Sequence, residues 1–160
     1  MVVRPFMGVV VAVACLAFPM FADASHTTVL PNPCTVLGHT SIDAALSVSD
    51  GSRFTGRLSM VESASGRVRT CTYLHKGAKL TVTIAPRAYG KTGFGGPADM
   101  IVKVPKGFGP QSHLIYDVNP KHAFATVTFL KRQLYGAVWA NGKVPPIRVL
   151  VLARVLYARL

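Results

Sequence analysis

The stretch Val68-Arg-Thr-Cys71-Thr-Tyr73-Leu-His-Lys76-Gly77-Ala-Lys79-Leu-Thr-Val-Thr-Ile84 decides the fold. Its side chains alternate with a period of two, and a strand sends successive side chains to opposite faces. Val68, Thr70, Thr72 and Leu74 therefore fall on one side, Cys71 and Tyr73 on the other. Lys76-Gly77 makes a tight turn into a second alternating run, Lys79 to Ile84. The whole reads as an antiparallel hairpin with Cys71 near the middle of its first strand.

The pattern extends outward in both directions. Toward the N-terminus, Phe54, Leu58 and Met60 sit among polar residues from Arg53 on, and Ser63-Ala64-Ser65-Gly66 supplies a turn before Val68. Ser49-Asp50-Gly51-Ser52 breaks the chain ahead of that. In Thr40-Ser41-Ile42-Asp43-Ala44-Ala45-Leu46 a hydroxyl cap precedes Ile42, Ala45 and Leu46, which predicts a short helix with one buried face. Pro31-Asn32-Pro33 is a stiff entry, non-helical at its middle because each proline restricts the residue before it.

Toward the C-terminus, Arg87 to Gly96 reads as a glycine-rich loop. Pro97 to Val102 fits a short helix or a strand equally well, and Pro105 to Pro110 is a second loop. His113 to Val118, Ala123 to Leu130 and Gln133 to Ala140 are three further strands. They are joined by turns at Asn119-Pro120 and Lys131-Arg132, and the last stops at Asn141-Gly142.

Pro145 to Leu160 is the clearest helix, with Pro146 suited to its first turn. Val149, Leu150, Leu152, Ala153, Leu156, Tyr157 and Leu160 share one broad face, off which lie Arg148, Arg154 and Arg159. That face suits a membrane surface or a sheet, and the sheet is the expectation because the strands need their apolar side covered. The segment is too short to span a bilayer. The expected architecture is α+β: a mainly antiparallel sheet packed against a short N-terminal helix and a C-terminal helix.

The start of the chain has another logic. Met1-Val-Val-Arg4 leads into an apolar run from Phe6 to Phe21, and Ala22-Asp23-Ala24 precedes Ser25. Charged start, apolar middle and A-x-A exit are the parts of a secretory signal peptide, giving residues 1–24 as signal and 25–160 as a single exported α+β domain. The run falls short of the ~20 residues that a bilayer-spanning helix needs. Cys15 inside it raises lipidation as an alternative. Against that stand Ala12, where an aliphatic residue would be wanted, and the apolar Leu16 to Phe21 that follows. Arg4 and Asp23 would leave together, so the net charge of +12 is unchanged by cleavage. Such a charge favours anionic partners such as phospholipid head groups and acidic envelope polymers. The cations are scattered from Arg53 to Arg159, however, as they would be for solubility and loose surface adhesion.

With Cys15 removed, Cys34 and Cys71 remain, and a pair of cysteines in an oxidising compartment reads as a disulfide. It would fasten the N-terminal helix to the sheet. His39 after Cys34 and His75 after Cys71 offer zinc as an alternative, without the compact spacing of a structural zinc site.

Catalytic motifs fare poorly. Ala85-Pro-Arg-Ala-Tyr-Gly90-Lys91-Thr92 fits a relaxed phosphate-loop pattern, but such a loop must open a helix. Here Gly93-Phe94-Gly95-Gly96-Pro97 follows, a very poor helix start. No G-x-S-x-G appears, and His26, His39, His75, His113 and His122 show no H-x-x-x-H spacing. Asp99 with Asp117 would form a glycosidase-like pair only if the fold brought them together. Phe94, Phe108, Tyr116 and Trp139 offer stacking for nucleic acid, yet they sit in core-like strand positions more often than not, so no specific nucleic-acid partner is expected.

Pro33-Cys34-Thr35-Val36-Leu37, the short helix, and Cys71-Thr72-Tyr73 before an alternating strand resemble a family of exported bacterial domains of unknown function, common in actinobacterial lipoproteins. Gly107-Phe108-Gly109 stands for that family's Gly-x-Gly turn, and Ala153 to Leu160 resembles its final helix. Tyrosine here replaces the family's commoner tryptophan after the second cysteine, and a convincing lipidation site is missing. The resemblance implies an α+β domain with a disulfide, and no reaction.

The functional expectation is a non-catalytic secreted or envelope-associated domain, without cofactor or metal, that binds a small ligand, an anionic surface or a partner protein. Peripheral membrane association fits the same charge. A cleft between the last helix and the sheet is the expected place, with Tyr89, Lys91, Phe94, Lys106 and Phe108 on its loop rims. The alternative is a small hydrolase acting on cell-envelope material.

Overall fold

The computed structural model describes residues 29–46, 54–91, 100–117, 124–141 and 144–160. The segment expected to be a signal peptide and its Cys15, and with them Phe94, Asp99 and the expected turn at Asn119-Pro120, lie outside the described residues.

Seven strands form one sheet: β1 (Thr55–Ser63), β2 (Gly66–His75), β3 (Ala78–Pro86), β4 (Met100–Lys103), β5 (His113–Asp117), β6 (Phe124–Lys131) and β7 (Leu134–Asn141). Every neighbouring pair is antiparallel, in the order β1-β2-β3-β7-β6-β5-β4. Two meanders, β1-β2-β3 and β4-β5-β6-β7, thus meet where β3 pairs with β7. The ambiguous Pro97 to Val102 segment resolves in its described part as β4. At the β2–β3 hairpin Lys76 and Gly77 have φ of 43° and 79°. Both central residues are left-handed, the combination whose twist matches the flanking strands.

The register divides the sheet into two chemically different faces. One row runs Leu58–Cys71–Val82–Val138–Val127–Leu114, and the next Tyr73–Leu80–Ala140–Ala125–Tyr116. These rows carry the main core, on which the helices pack. Displaced by one residue along each strand, the other face runs Arg57–Thr72–Thr81–Trp139–Thr126–Ile115.

Three helices cover the first face. Helix α3 (Pro146–Arg159) buries Val149, Leu152, Ala153 and Leu156 against β6 and β7, so its apolar stripe is spent on the sheet. Helix α2 (His39–Leu46) buries Ile42 and Ala45 as the spacing predicts. A short helix α1 (Pro33–Val36) precedes it, where the proline-rich entry suggests extended chain. Asn32 is extended as its following proline demands, and this frees it to act as the N-cap. Its side chain accepts from the Cys34 N–H, and Pro33 takes the first turn, where its missing N–H costs nothing.

Two glycines of the sheet leave room for the ring of the residue paired with each on the next strand. A Cβ on Gly136 would lie 2.4 Å from the Phe129 ring, and one on Gly56 2.6 Å from the Tyr73 ring. Both rings lie flat over a neighbouring strand because glycine leaves them room.

Candidate functional site

The covered face is a structural device. Cys34 and Cys71 form the expected disulfide, with a Cα–Cα distance of 5.2 Å, tying α1 to β2. Beside it the fully buried Tyr73 hydroxyl donates to the Leu37 carbonyl at the end of α1. Burial pushes the Tyr73 phenol up to about 12. Because the cysteines are joined, they supply no thiolate for zinc. The histidines that raised the zinc reading are occupied otherwise: a ring nitrogen of His39 meets the Phe54 carbonyl, and the His75 ring lies 4.8 Å from the Phe54 ring. Among the described residues no group of three or more His, Cys, Asp and Glu is placed to hold a metal.

Several of the scattered cations have internal tasks. Arg159 donates to the Val36 carbonyl of α1 at 2.6 Å, and Arg148 to the Ala45 carbonyl of α2 at 3.0 Å. Lys131 donates to the Tyr157 carbonyl of α3, and Arg69 to the Leu30 carbonyl. The last carbonyls of a helix have no partner within it and carry its negative dipole end. Each of the three helices thus has a late carbonyl met by a cation from another part of the chain. Part of the +12 charge is therefore explained by folding before any partner is invoked.

The phosphate-loop resemblance dissolves for the same kind of reason. Arg87–Lys91 is a 3-10 turn. The Arg87 N–H donates to Gln133 O at 2.9 Å, and its guanidinium reaches Arg132 O and Gln111 Oε1. A Cβ on Gly90 would fall 2.6 Å from the Tyr135 ring, so that glycine serves packing. Tyr89 lies 5.3 Å from Tyr135 in a small cluster with Val68, Ala85, Ala137 and Leu130. There the Tyr135 phenol is driven well above its usual range, by burial first and by the charge of Tyr89 second.

The residues expected to rim one cleft do not share one place. Phe108 is 2 % exposed and packs against Phe129 and Tyr157 under α3, on the covered face. Tyr89 packs on the opposite face. Lys106 is exposed in the turn before Phe108, Lys91 ends the 3-10 turn, and Phe94 is outside the described residues. The space between α3 and the sheet is filled by the core cluster. Of the carboxylate pair considered for hydrolysis, Asp117 stands on β5 opposite Met100, and Asp99 is outside the described residues.

What the sequence reading did not assemble is the face opposite the helices. Among the described elements, only the 3-10 turn packs there, at the Val68–Tyr135 end. Beyond it lies a carpet of partly exposed threonines: Thr70 and Thr72 of β2, Thr81 and Thr83 of β3, and Thr126 of β6. Trp139, the single tryptophan of the chain, sits among them with Thr81 and Thr126 as its direct cross-strand neighbours. The Lys79 ammonium stands 5.7 Å from its ring centroid. Asn141 and Lys79 border the ring on the next row, joined by a bond from the Lys79 N–H to Asn141 Oδ1 at 3.1 Å. At the β5–β6 end Ile115 and Thr128 are buried. The signal was present in the alternation of Leu134 to Asn141: if Val138 and Ala140 face the helices, Trp139 cannot.

In comparisons with known proteins, no family model, no curated protein and no solved structure matches the chain.

Proposed function

We propose that the chain is a non-catalytic, exported binding module whose ligand, an anionic component of the cell envelope, lies across the open sheet face at Trp139. The observation that carries this reading is the tryptophan itself: a large, flat, half-buried ring on the face away from the core, with an ammonium beside it. A ring with one apolar side open suits stacking of a sugar or acyl chain. The threonine hydroxyls and Asn141 suit hydrogen bonding, each hydroxyl being both donor and acceptor. Lys79, Arg57 and the overall charge of +12 favour a negative ligand. Export, signal cleavage after Ala24 and membership of the exported disulfide-bearing family belong to the same proposal. They rest on the N-terminal pattern, on Pro33-Cys34 and on Cys71-Thr72-Tyr73.

A single tryptophan makes the site its own reporter. Titration with an acidic oligosaccharide such as oligogalacturonate is expected to shift Trp139 emission saturably, in the Lys79-containing protein and much less in Lys79→Ala. Salt at a few tenths molar should weaken the effect without abolishing it, since stacking survives screening. Emission that stays flat with acidic and neutral glycans alike, while protein is still retained on anionic vesicles, would remove this face from the reading and leave general adhesion.

A further inference from the structure

The two edges of the sheet are built differently. An edge strand exposes unpaired backbone N–H and C=O groups, and proteins blunt such edges with short strands, lysine, proline or covering elements. β4 follows that practice at its described end: it stops at Lys103, and Pro105 follows closely. β1 does not. It is nine residues long, contains no proline or lysine, and among the described residues no strand pairs with its outer side. Leu58, Met60 and Val61 in it are 41 %, 56 % and 61 % exposed. Leu58 and Met60 project to the helix side, where α1 covers β1 only in part, and Val61 to the open face.

We infer that β1 is a homodimer edge, pairing antiparallel with β1 of a second copy about a two-fold axis at Ser59. The hairpin register fixes which groups are on offer. Ser63 pairs with Gly66 across a two-residue turn, and such a turn closes on a hydrogen-bonded pair. Hydrogen-bonded and non-bonded pairs alternate in an antiparallel ladder. The odd residues from Thr55 to Ser63 therefore bond inward to β2. Gly56, Leu58, Met60 and Glu62 direct their N–H and C=O outward.

A two-fold axis perpendicular to the sheet at Ser59 uses all four. It sets Leu58 against the partner's Met60 and Gly56 against the partner's Glu62, and by symmetry the reverse. The two Leu58–Met60 pairs form one apolar quartet on the helix side. Arg57 faces the partner's Val61, so no like charges oppose each other. Glu62 is already held by Arg67 at 2.8 Å, and Arg69 is turned to the Leu30 carbonyl. The charge of +12 is thus not concentrated at this edge. A second copy offers these backbone groups together with a leucine and a methionine in matching register.

Sedimentation velocity of the purified protein across the micromolar range is the first test, with a concentration-dependent monomer–dimer equilibrium expected. Because two copies each carry +12, added salt should strengthen the dimer, the reverse of its effect on an anionic ligand. Met60→Lys should be monomeric with an unchanged unfolding midpoint, since the side chain is exposed in the single copy. Geometry is tested by oxidation of Ser59→Cys in a Cys15→Ser background. A non-bonded antiparallel pair brings its Cα atoms to about 4.5 Å, within disulfide range, so a covalent dimer should form. Ser63→Cys, far from the axis, should not cross-link. A protein that stays monomeric at every concentration, a dimer indifferent to Met60→Lys, or equal cross-linking of the two cysteine variants would each overturn the inference.

Discussion

Leu80 and Thr81 are neighbours in β3, yet they belong to different worlds. Leu80 is fully buried between Tyr73 and Ala140 under the helices, while Thr81 lies on the open face between Thr72 and Trp139. The same split runs through β7, where Val138 is core and Trp139 is surface. On the covered side, polar atoms have structural tasks: the Tyr73 hydroxyl and four cations meet backbone carbonyls. On the open side, hydroxyls and an indole are arrayed where, among the described elements, only the 3-10 turn packs, at one end. On the proposed function, the difference separates stability from recognition. Changes on one face should read out in folding, changes on the other in binding.

The disulfide offers the strongest way to break that division. It bridges 37 residues, and the chain-entropy account puts the loss on removal at about 4 kcal/mol. Cys34→Ser with Cys71→Ser should lower the urea midpoint accordingly, and reductant should do the same to the parent protein. Trp139 emission in the folded baseline should stay where it was, because the bridge lies on the far side of the sheet. A midpoint unchanged by the double substitution would show that Tyr73, Arg159 and the packing of Leu37 hold α1 without it. A shift in the folded Trp139 signal would show that the two faces are coupled after all.

The covered face was largely legible in the sequence, and the open face was not. Alternation around Cys71 and the amphipathic spacing from Val149 to Leu160 report burial directly, because burial is what selects apolar residues at those periods. The disulfide followed from cysteine parity. Helix α1 was hidden because two prolines mask a turn that Asn32 can still cap. Phe108 looked like a loop rim from its Gly-Phe-Gly setting. Gly107 and Gly109, with φ of 92° and 87°, are what let the chain fold the ring back onto Phe129. Threonine on a sheet surface is common for its β-propensity alone, so the Thr carpet carries no signal until the register places Trp139 at its centre. Strand order is non-local, and nothing in the residues of β1 announces that they end the sheet.

A smaller effect sharpens the comparison through protonation. Tyr73 keeps its proton to about pH 12 when folded, whereas an exposed tyrosine loses it near pH ~10. The sign follows: the unfolded chain releases the proton first, so this contribution is whole below pH ~10 and is lost as pH rises toward 12. Tyr73→Phe removes the hydrogen bond to Leu37 and should cost about 1–2 kcal/mol at neutral pH. It should also flatten the alkaline limb of the stability profile, leaving the part that Tyr135 supplies. Urea unfolding at neutral pH and near pH ~11 measures both effects. An alkaline limb equally steep in Tyr73→Phe would assign the slope to Tyr135.

The smallest expected change is the most telling for function. Thr81→Ala removes a partly exposed hydroxyl with no packed core above it, and surface substitutions of that kind lie within about 0.5 kcal/mol. Leu80→Ala, one residue away, should cost about 2–5 kcal/mol through lost burial and the cavity left behind. If the open face were merely solvated sheet, Thr81→Ala would be silent in every assay. If it is the binding face, the same substitution should leave the unfolding midpoint in place and weaken the acidic-glycan titration followed through Trp139. A stability loss approaching that of Leu80→Ala would mean that the threonine carpet is itself packed against something, and this face would no longer carry the binding reading.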